Sequence, residues 1–207
     1  MFRLLILSIA TLAAQPAWHA NAHPNRYIPD VSINTPPLQK PPHGGGWQHG
    51  EFNVTPLADF HIQARVLSTK HYDSGKSSAL SPVDFVLGWQ QMADKNFLRK
   101  VTIKHLHRSY RYHYRYRHRG YNQQHNKDIM HKTVSTQSAN MHMVPATPEI
   151  EKKLLSVQTD DIVTLHGHLV RINHSNGWKW TSSLTRTDTG KDSCEVVWVD
   201  KITIEQP

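Results

Sequence analysis

The sequence predicts a mainly β fold with short helices, built as a small, partly open barrel or a sandwich. Residues 157–204 carry the main signal, because apolar and polar residues alternate through 162–170, the two-residue period of a strand. Two segments rich in turn-forming residues, 173–177 and 187–192, then separate two further apolar segments. Three antiparallel strands with one apolar face can form the nucleus of such a fold.

The N-terminal 22 residues predict a secretory signal peptide. Arg3 precedes an apolar run at residues 4–14, and Ala20-Asn21-Ala22 has the small-x-small pattern of a cleavage site. We expect cleavage before His23 and a periplasmic or secreted mature chain. The apolar run is too short to span a bilayer, and no later run approaches the required length, so no membrane span is expected in the mature chain.

The rest of the chain divides by composition into an arm and one domain. Residues 23–55 are rich in proline and glycine, which predicts a disordered arm. Residues 56–207 are predicted to form a single β-rich domain with a basic His/Tyr/Arg insertion at about 105–132. Cys194 is the one cysteine in the 207 residues, so no internal disulfide can stabilise this domain.

Within the domain, the periodicity predicts elements of unequal clarity. Residues 56–72 and 101–107 predict strands, and 93–98 a short helix. Residues 81–89 fit either a short helix or a buried strand. The remaining predictions are a polar loop at 120–132, an extended segment at 133–146, and a helix at 147–155 capped by Thr147.

A basic and aromatic stretch is the strongest candidate binding site. No acidic residue occurs from Lys95 through Lys127, and tyrosines alternate with cations, so a strand would carry a tyrosine face and a cationic face. Arginine binds phosphate or sulfate, and aromatic rings stack on bases or sugars. The candidate anion-binding residues are Arg108, Tyr110, Arg111, Tyr112, Tyr114, Arg115, Tyr116, Arg117 and Arg119. The same pattern also fits an edge strand with inward tyrosines and solvated arginines.

Histidine pairs raise a second hypothesis, a divalent metal site. His105 and His107 share one strand parity, as do His166 and His168, and two-residue spacing can present two imidazoles to zinc, nickel or copper. The lack of cysteine partners and the surrounding positive charge disfavour this hypothesis. No cofactor is therefore expected, a divalent metal being the alternative.

Several motifs resemble an uncharacterised family of exported or membrane-associated bacterial proteins. They are SANMHMVPA at 138–146, GHLV at 167–170, WKWTSSLTRTDTG at 178–190 and CE at 194–195. The resemblance implies a common fold and no chemistry, and the basic stretch departs from the family pattern. The nucleus also resembles an oligonucleotide-binding-fold barrel by its pattern. Motif residues of unknown role are Asn140, His142, Trp180, Ser182, Arg186, Asp188 and Glu195.

These features favour an exported, non-catalytic envelope protein that binds an anionic polymer or a partner protein. The excess of 24 lysines and arginines over 16 acidic residues supports an anionic partner. Nucleic acid also has this chemistry, but export favours polymers of the envelope. The alternative is a metal-binding protein or a metal-dependent hydrolase that uses the histidines.

Overall fold

The computed structural model describes residues 31–75, 77–115, 123–185 and 194–206. These residues form a mainly β fold, as predicted. The strands are β1 (Leu38–Lys40), β2 (Trp47–His49), β3 (Phe52–His71), β4 (Val83–Gly88), β5 (Val101–Leu106), β6 (Ser109–Tyr114), β7 (Ser138–Pro145), β8 (Ile162–His174), β9 (Lys179–Thr181) and β10 (Glu195–Glu205). The helices are a 3-10 turn (Gln90–Ala93), α1 (Lys95–Leu98), α2 (Gln123–Gln137) and α3 (Pro148–Ser156). The expected signal peptide lies outside the described residues.

Eight strands form one mixed sheet in the order β1-β3-β4-β7-β10-β8-β9, with β2 also paired to β3. Strand β3 pairs with both β4 and β8, so the sheet curls back on itself. It is partly ring-like without being a closed barrel. Strands β10 and β7 run parallel, whereas β10 and β8 are antiparallel. The predicted class, a partly open barrel or sandwich, is confirmed.

Alternation along β3 and β8 explains where the core lies. Phe60, Ile62 and Ala64 of β3 are at most 1% exposed, and the residues between them point to the other side of the sheet. On β8, Val163 and Leu165 are fully buried against the same core. A one-residue slip would expose this set, so the apolar pattern fixes the register.

The expected disordered arm is wrong for its described part. Strands β1 and β2 both pair with β3 in antiparallel register, and the ring of Trp47 packs 5.0 Å from that of Trp198. Proline and glycine exclude a helix here, but short edge strands tolerate them. Gly46 fits this close approach, since a Cβ there would lie 2.7 Å from the carbonyl oxygen of Val54. Residues 23–30 lie outside the described part.

Helix α2 corrects another prediction. Residues from Gln123 to Gln137 are helical, where a polar loop and the start of an extended segment were expected. Within this helix Thr133 and Val134 are buried, so the sequence shows no apolar period that would predict a helix. The extended segment begins only at β7.

Other predicted elements agree with the structure. Helix α3 begins after Thr147, whose Oγ1 accepts a hydrogen bond from the backbone N–H of Ile150 at 3.3 Å. Within residues 81–89, for which helix and strand were both open, Val83–Gly88 form the fully buried strand β4. The second strand of the C-terminal nucleus, expected between the turn segments 173–177 and 187–192, is confined to Lys179–Thr181.

Strands β5 and β6 form a separate two-stranded hairpin. Its inner side packs on a small apolar cluster centred on Met92, Val101 and Val134. The hairpin therefore lies against the 3-10 turn and α2, outside the large sheet. In the part of the chain that the structure describes, no helix has the length and apolar character needed to cross a membrane.

Candidate functional site: the β5–β6 hairpin and its buried anchor

The outer side of the β5–β6 hairpin concentrates positive charge. Lys104 pairs directly with Arg111, and Thr102 with His113, so these residues share one side of the hairpin. The backbone N–H of Arg115 donates to the carbonyl of Lys100 at 2.8 Å, which extends this side by one more pair. We call the exposed residues Lys100, Lys104, Arg111, His113 and Arg115 the cationic face.

No ion pair among the described residues neutralises the cationic face. Among the ion pairs of the described residues, none joins a carboxylate to a member of this face. Arg115 donates from Nε to the hydroxyl of Thr102 at 2.7 Å, which orients its guanidinium on this side of the hairpin. Successive side chains on one side of a strand lie about 6.6–6.8 Å apart, so the face is a short, regular array of charges.

The described tyrosines of the predicted tyrosine face point inward, so the geometry does not favour their expected role in stacking on a ligand. Tyr110, Tyr112 and Tyr114 are directly opposite His105, Ile103 and Val101 on the inner side. The hydroxyl of Tyr110 lies 3.0 Å from Ser138 Oγ, and burial raises the pKa of Tyr110 to about 12. The described part of the predicted strand is therefore divided, with Arg111 and Arg115 on the outer side and the rings of Tyr110, Tyr112 and Tyr114 on the inner side.

Four residues of the predicted site are not assigned to either side of the hairpin. Tyr116, Arg117 and Arg119 lie outside the described residues. Arg108 is described but does not belong to the cationic face. It lies in the turn between β5 and β6 with a positive φ of 54°, and its guanidinium points inward.

Arg108 reaches a buried carboxylate in the large sheet. Its Nη1 lies 2.6 Å from Oδ1 of Asp84, and its Nη2 donates to the carbonyl of Ser81 at 2.9 Å. The guanidinium also lies 3.7 Å from the centre of the Tyr72 ring, a cation–π contact. The tip of the hairpin is thus fixed to β4.

Asp84 is surrounded by hydrogen-bond donors. His142 Nδ1 lies 3.0 Å from Oδ1, and the Tyr72 hydroxyl donates to Oδ2 at 3.1 Å. Asn140 Nδ2 lies 3.5 Å from Oδ2. Burial alone would raise the pKa of Asp84, but the hydrogen bond and charge of His142, with the charge of Arg108, outweigh it, so the pKa is lowered. Asp84 is therefore a satisfied anion at neutral pH.

The structure brings some residues of the family-like motifs together at this anchor. Asn140 and His142 contact Asp84, and the ring of His142 lies 4.7 Å from that of Trp180. Ser182 instead donates to the carbonyl of Ser183 at 2.8 Å and accepts from the backbone N–H of Val196 at 3.1 Å. Glu195 is 1% exposed at the start of β10. Arg186 and Asp188 lie outside the described residues.

Sequence reasoning gave no role to the centre of this network. Asp84 and Tyr72 had none, although one signal was present: Asp84 interrupts the otherwise apolar run of β4. A carboxylate in a fully buried strand requires partners, which predicts an ion pair without revealing its residues. Both oxygens of the Asp84 carboxylate already have donors within reach. The network therefore serves to position the hairpin.

The histidine pairs predicted to bind metal do not converge. His105 points inward with Nδ1 3.2 Å from Ser68 Oγ, whereas His107 packs against the ring of Tyr72. His166 lies next to His61, and His168 lies between Asp59 and Asp200 at 3.0 and 3.2 Å. Over the described ranges, no group of three or more His, Cys, Asp or Glu residues could hold a metal ion.

An open depression of about 460 Å³ borders the cationic face. It is lined by Gln91, Asp94, Asn96, Phe97, Arg99 and Lys100. Lys100 belongs to both features.

No protein-family model, no curated protein and no solved structure matches the chain.

Proposed function

We propose that this protein is an exported, non-catalytic binding protein of the cell envelope that holds an anionic polymer on its cationic face. The observation that carries the proposal is the alignment of four lysines and arginines on one exposed side of a two-stranded hairpin, without a described carboxylate among them. Such an array attracts a chain of repeated negative charges far better than a single anion, because each contact adds to the others.

The anchor supports this proposal by making the array rigid. Arg108 ties the hairpin tip to buried Asp84, and the inner tyrosines pack on an apolar cluster. A rigid array loses little conformational entropy on binding. Because both carboxylate oxygens of Asp84 already have donors within reach, this positioning role is favoured over proton transfer or nucleophilic catalysis.

Salt dependence and matched charge removal test the proposal directly. Binding of fluorescently labelled heparin and of lipopolysaccharide is measured by anisotropy, from low salt to 0.5 M NaCl (about the range in which screening becomes strong). We expect affinity to fall steeply as salt rises. Replacing Arg111 and Arg115 together with alanine should weaken binding about tenfold, since each exposed charge contact contributes up to ~1 kcal/mol.

Two lysines of α3 provide the control. Lys152 and Lys153 are also exposed, so their double replacement with alanine removes the same net charge from a different surface. This control should bind both polymers with near-wild-type affinity. If the two double variants lost affinity equally, binding would depend on net charge and not on the cationic face. If the Arg111/Arg115 variant bound as tightly as wild type, the cationic face would not be the site.

Export has its own test. Mass spectrometry of the protein from fractionated cells should find it in the periplasm or medium, beginning at His23. A protein retained in the cytoplasm with residues 1–22 intact would contradict an envelope role.

A further inference from the structure

Two histidines from different strands meet on the outer side of the large sheet. His61 of β3 and His166 of β8 are direct cross-strand partners, and their Nδ1 atoms lie 2.8 Å apart. The ring centroids are 5.0 Å apart, with the planes tilted by 58°. Both residues are half-buried, so their surroundings restrain the rings while solvent still reaches them.

We infer that His61 and His166 together bind one transition-metal ion, Cu²⁺, Ni²⁺ or Zn²⁺, through their Nδ1 atoms. Imidazole nitrogens bind such ions at about 2.0–2.1 Å, so two nitrogens bound at adjacent positions of one ion are about 2.9–3.4 Å apart. The observed separation needs only a slight opening of the pair. Imidazole ligands favour these ions over Mg²⁺ or Ca²⁺.

The protonation state of the pair suits metal binding. Burial is the main cause that lowers the pKa of His166 to about 4, and the positive charge of Lys201 acts in the same direction. Burial also lowers the pKa of His61, partly opposed by the negative charge of Asp59. Both rings are therefore neutral at pH 7, which is the form that binds metal. When the ion binds, the proton shared between the Nδ1 atoms moves to Nε2 of its own ring.

The charges facing the pair come from four strands. Lys40 of β1, Lys201 of β10 and, when protonated, His168 of β8 are positive, whereas Asp59 of β3 and Asp200 of β10 are negative. A metal ion therefore meets charges of both signs here, in contrast to the cationic face, where it would meet repulsion alone.

The protein supplies two ligands and leaves the remaining positions of the ion to water. The next cross-strand pair on this side, Asp59 and His168, is engaged internally, with His168 Nδ1 3.0 Å from Asp59 Oδ1. Within the described residues nothing completes a three-ligand group. The site is therefore open and exchangeable, unlike a four-ligand structural zinc site.

Metal titration of matched variants tests the inference. The wild-type protein is titrated with Zn²⁺ or Cu²⁺ by calorimetry, beside His61→Gln, His166→Gln, the double variant and the control His71→Gln. His71 is exposed at the end of β3 and belongs to neither proposed site, so its variant measures what any surface histidine contributes. We expect each single variant of the pair to bind one equivalent of metal less than the wild-type protein. The double variant should lose that same equivalent and no more. The control should keep that equivalent.

A measurement on the wild-type protein removes any dependence on variant folding. With ¹⁵N-labelled histidine, Zn²⁺ should shift the Nδ1 resonances of His61 and His166 together at one equivalent. Unchanged resonances, or pair variants that bind as many ions as wild type, would overturn the site. Equal losses in His71→Gln would do the same by showing that binding is spread over surface histidines. Polymer binding by the cationic face is unaffected by any of these results.

Discussion

Arg108 and Asp84 form a buried ion pair that joins the β5–β6 hairpin to the large sheet. The closest nitrogen and oxygen are 2.6 Å apart, and the side chains are 14% and 0% exposed. A buried pair of this kind adds little net stability compared with apolar residues, yet removing one partner leaves a charge without compensation. The pair therefore specifies where the hairpin lies.

Replacing Arg108 with alanine should lower the free energy of unfolding by about 3 kcal/mol. Breaking a buried ion pair typically costs ~3–5 kcal/mol, and the lower end applies because His142 and Tyr72 still contact Asp84. Urea denaturation followed by tryptophan fluorescence measures the change. The variant should also bind heparin more weakly, since the hairpin that carries the cationic face loses its anchor.

Arg111→Ala is the matched control for stability. Arg111 is exposed, so its removal should change the free energy of unfolding by no more than about 0.5 kcal/mol. If the two arginine variants had the same stability, the buried pair would contribute nothing to the fold.

The lowered pKa of Asp84 makes stability depend on acid pH. Burial raises the pKa of Asp84, but His142 and Arg108 together lower it by more, so the pKa lies below its ordinary value of 3.8. A carboxyl whose pKa is lower in the folded than in the unfolded state contributes stability that is present above the unfolded value and lost as pH falls through the folded value. The free energy of unfolding should therefore decrease as the pH is lowered below about 4.

The variant Asp84→Asn isolates this contribution. The amide cannot titrate, so the variant should be less stable than wild type at pH 6 but lose less stability between pH 5 and pH 2. Urea denaturation at several pH values measures both slopes. Parallel curves for the two proteins would show that Asp84 does not titrate with folding.

The strands of the core could be predicted because their signal is local. Phe60 and Ile62 of β3, and Val163 and Leu165 of β8, alternate with polar residues and are buried as that pattern requires. The cations and tyrosines of β6 also separate onto two sides, as their parity predicted. Sequence parity did not reveal which side would meet the protein, because that depends on how the hairpin packs.

The anchor could not be predicted, because it depends on register between distant strands. Asp84 of β4 lies directly opposite His142 of β7, and neither residue carries local information about the other. Helix α2 was missed for another reason, since it buries too few residues to show a helical period. The composition of residues 23–55 predicted disorder, but part of this segment forms β1 and β2, which both pair with β3.

Two half-buried tyrosines, Tyr72 and Tyr110, should titrate late. Burial raises the pKa of Tyr72 and of Tyr110 to about 12. A group whose pKa is raised on folding contributes stability below its unfolded value, about 10 for tyrosine, and that stability is lost as pH rises through 12. Absorbance of tyrosinate should therefore show a late fraction near pH 12, and Tyr110→Phe should reduce that fraction. A titration completed near pH 10 would contradict the burial of both hydroxyls.

Gly167 is required where β8 lies against β10. A Cβ at this position would lie 1.8 Å from the carbonyl oxygen of Trp198, and backbone cannot move aside as a flexible side chain can. Gly167→Ala should therefore lower the free energy of unfolding by about 3 kcal/mol or more, the upper range for overpacking. Gly45→Ala is the control, because no atom lies within 4 Å of the Cβ it would add, and its effect should stay within about 0.5 kcal/mol. Urea denaturation of both variants tests the pairing of β8 with β10, since equal stabilities would mean that these strands lie farther apart.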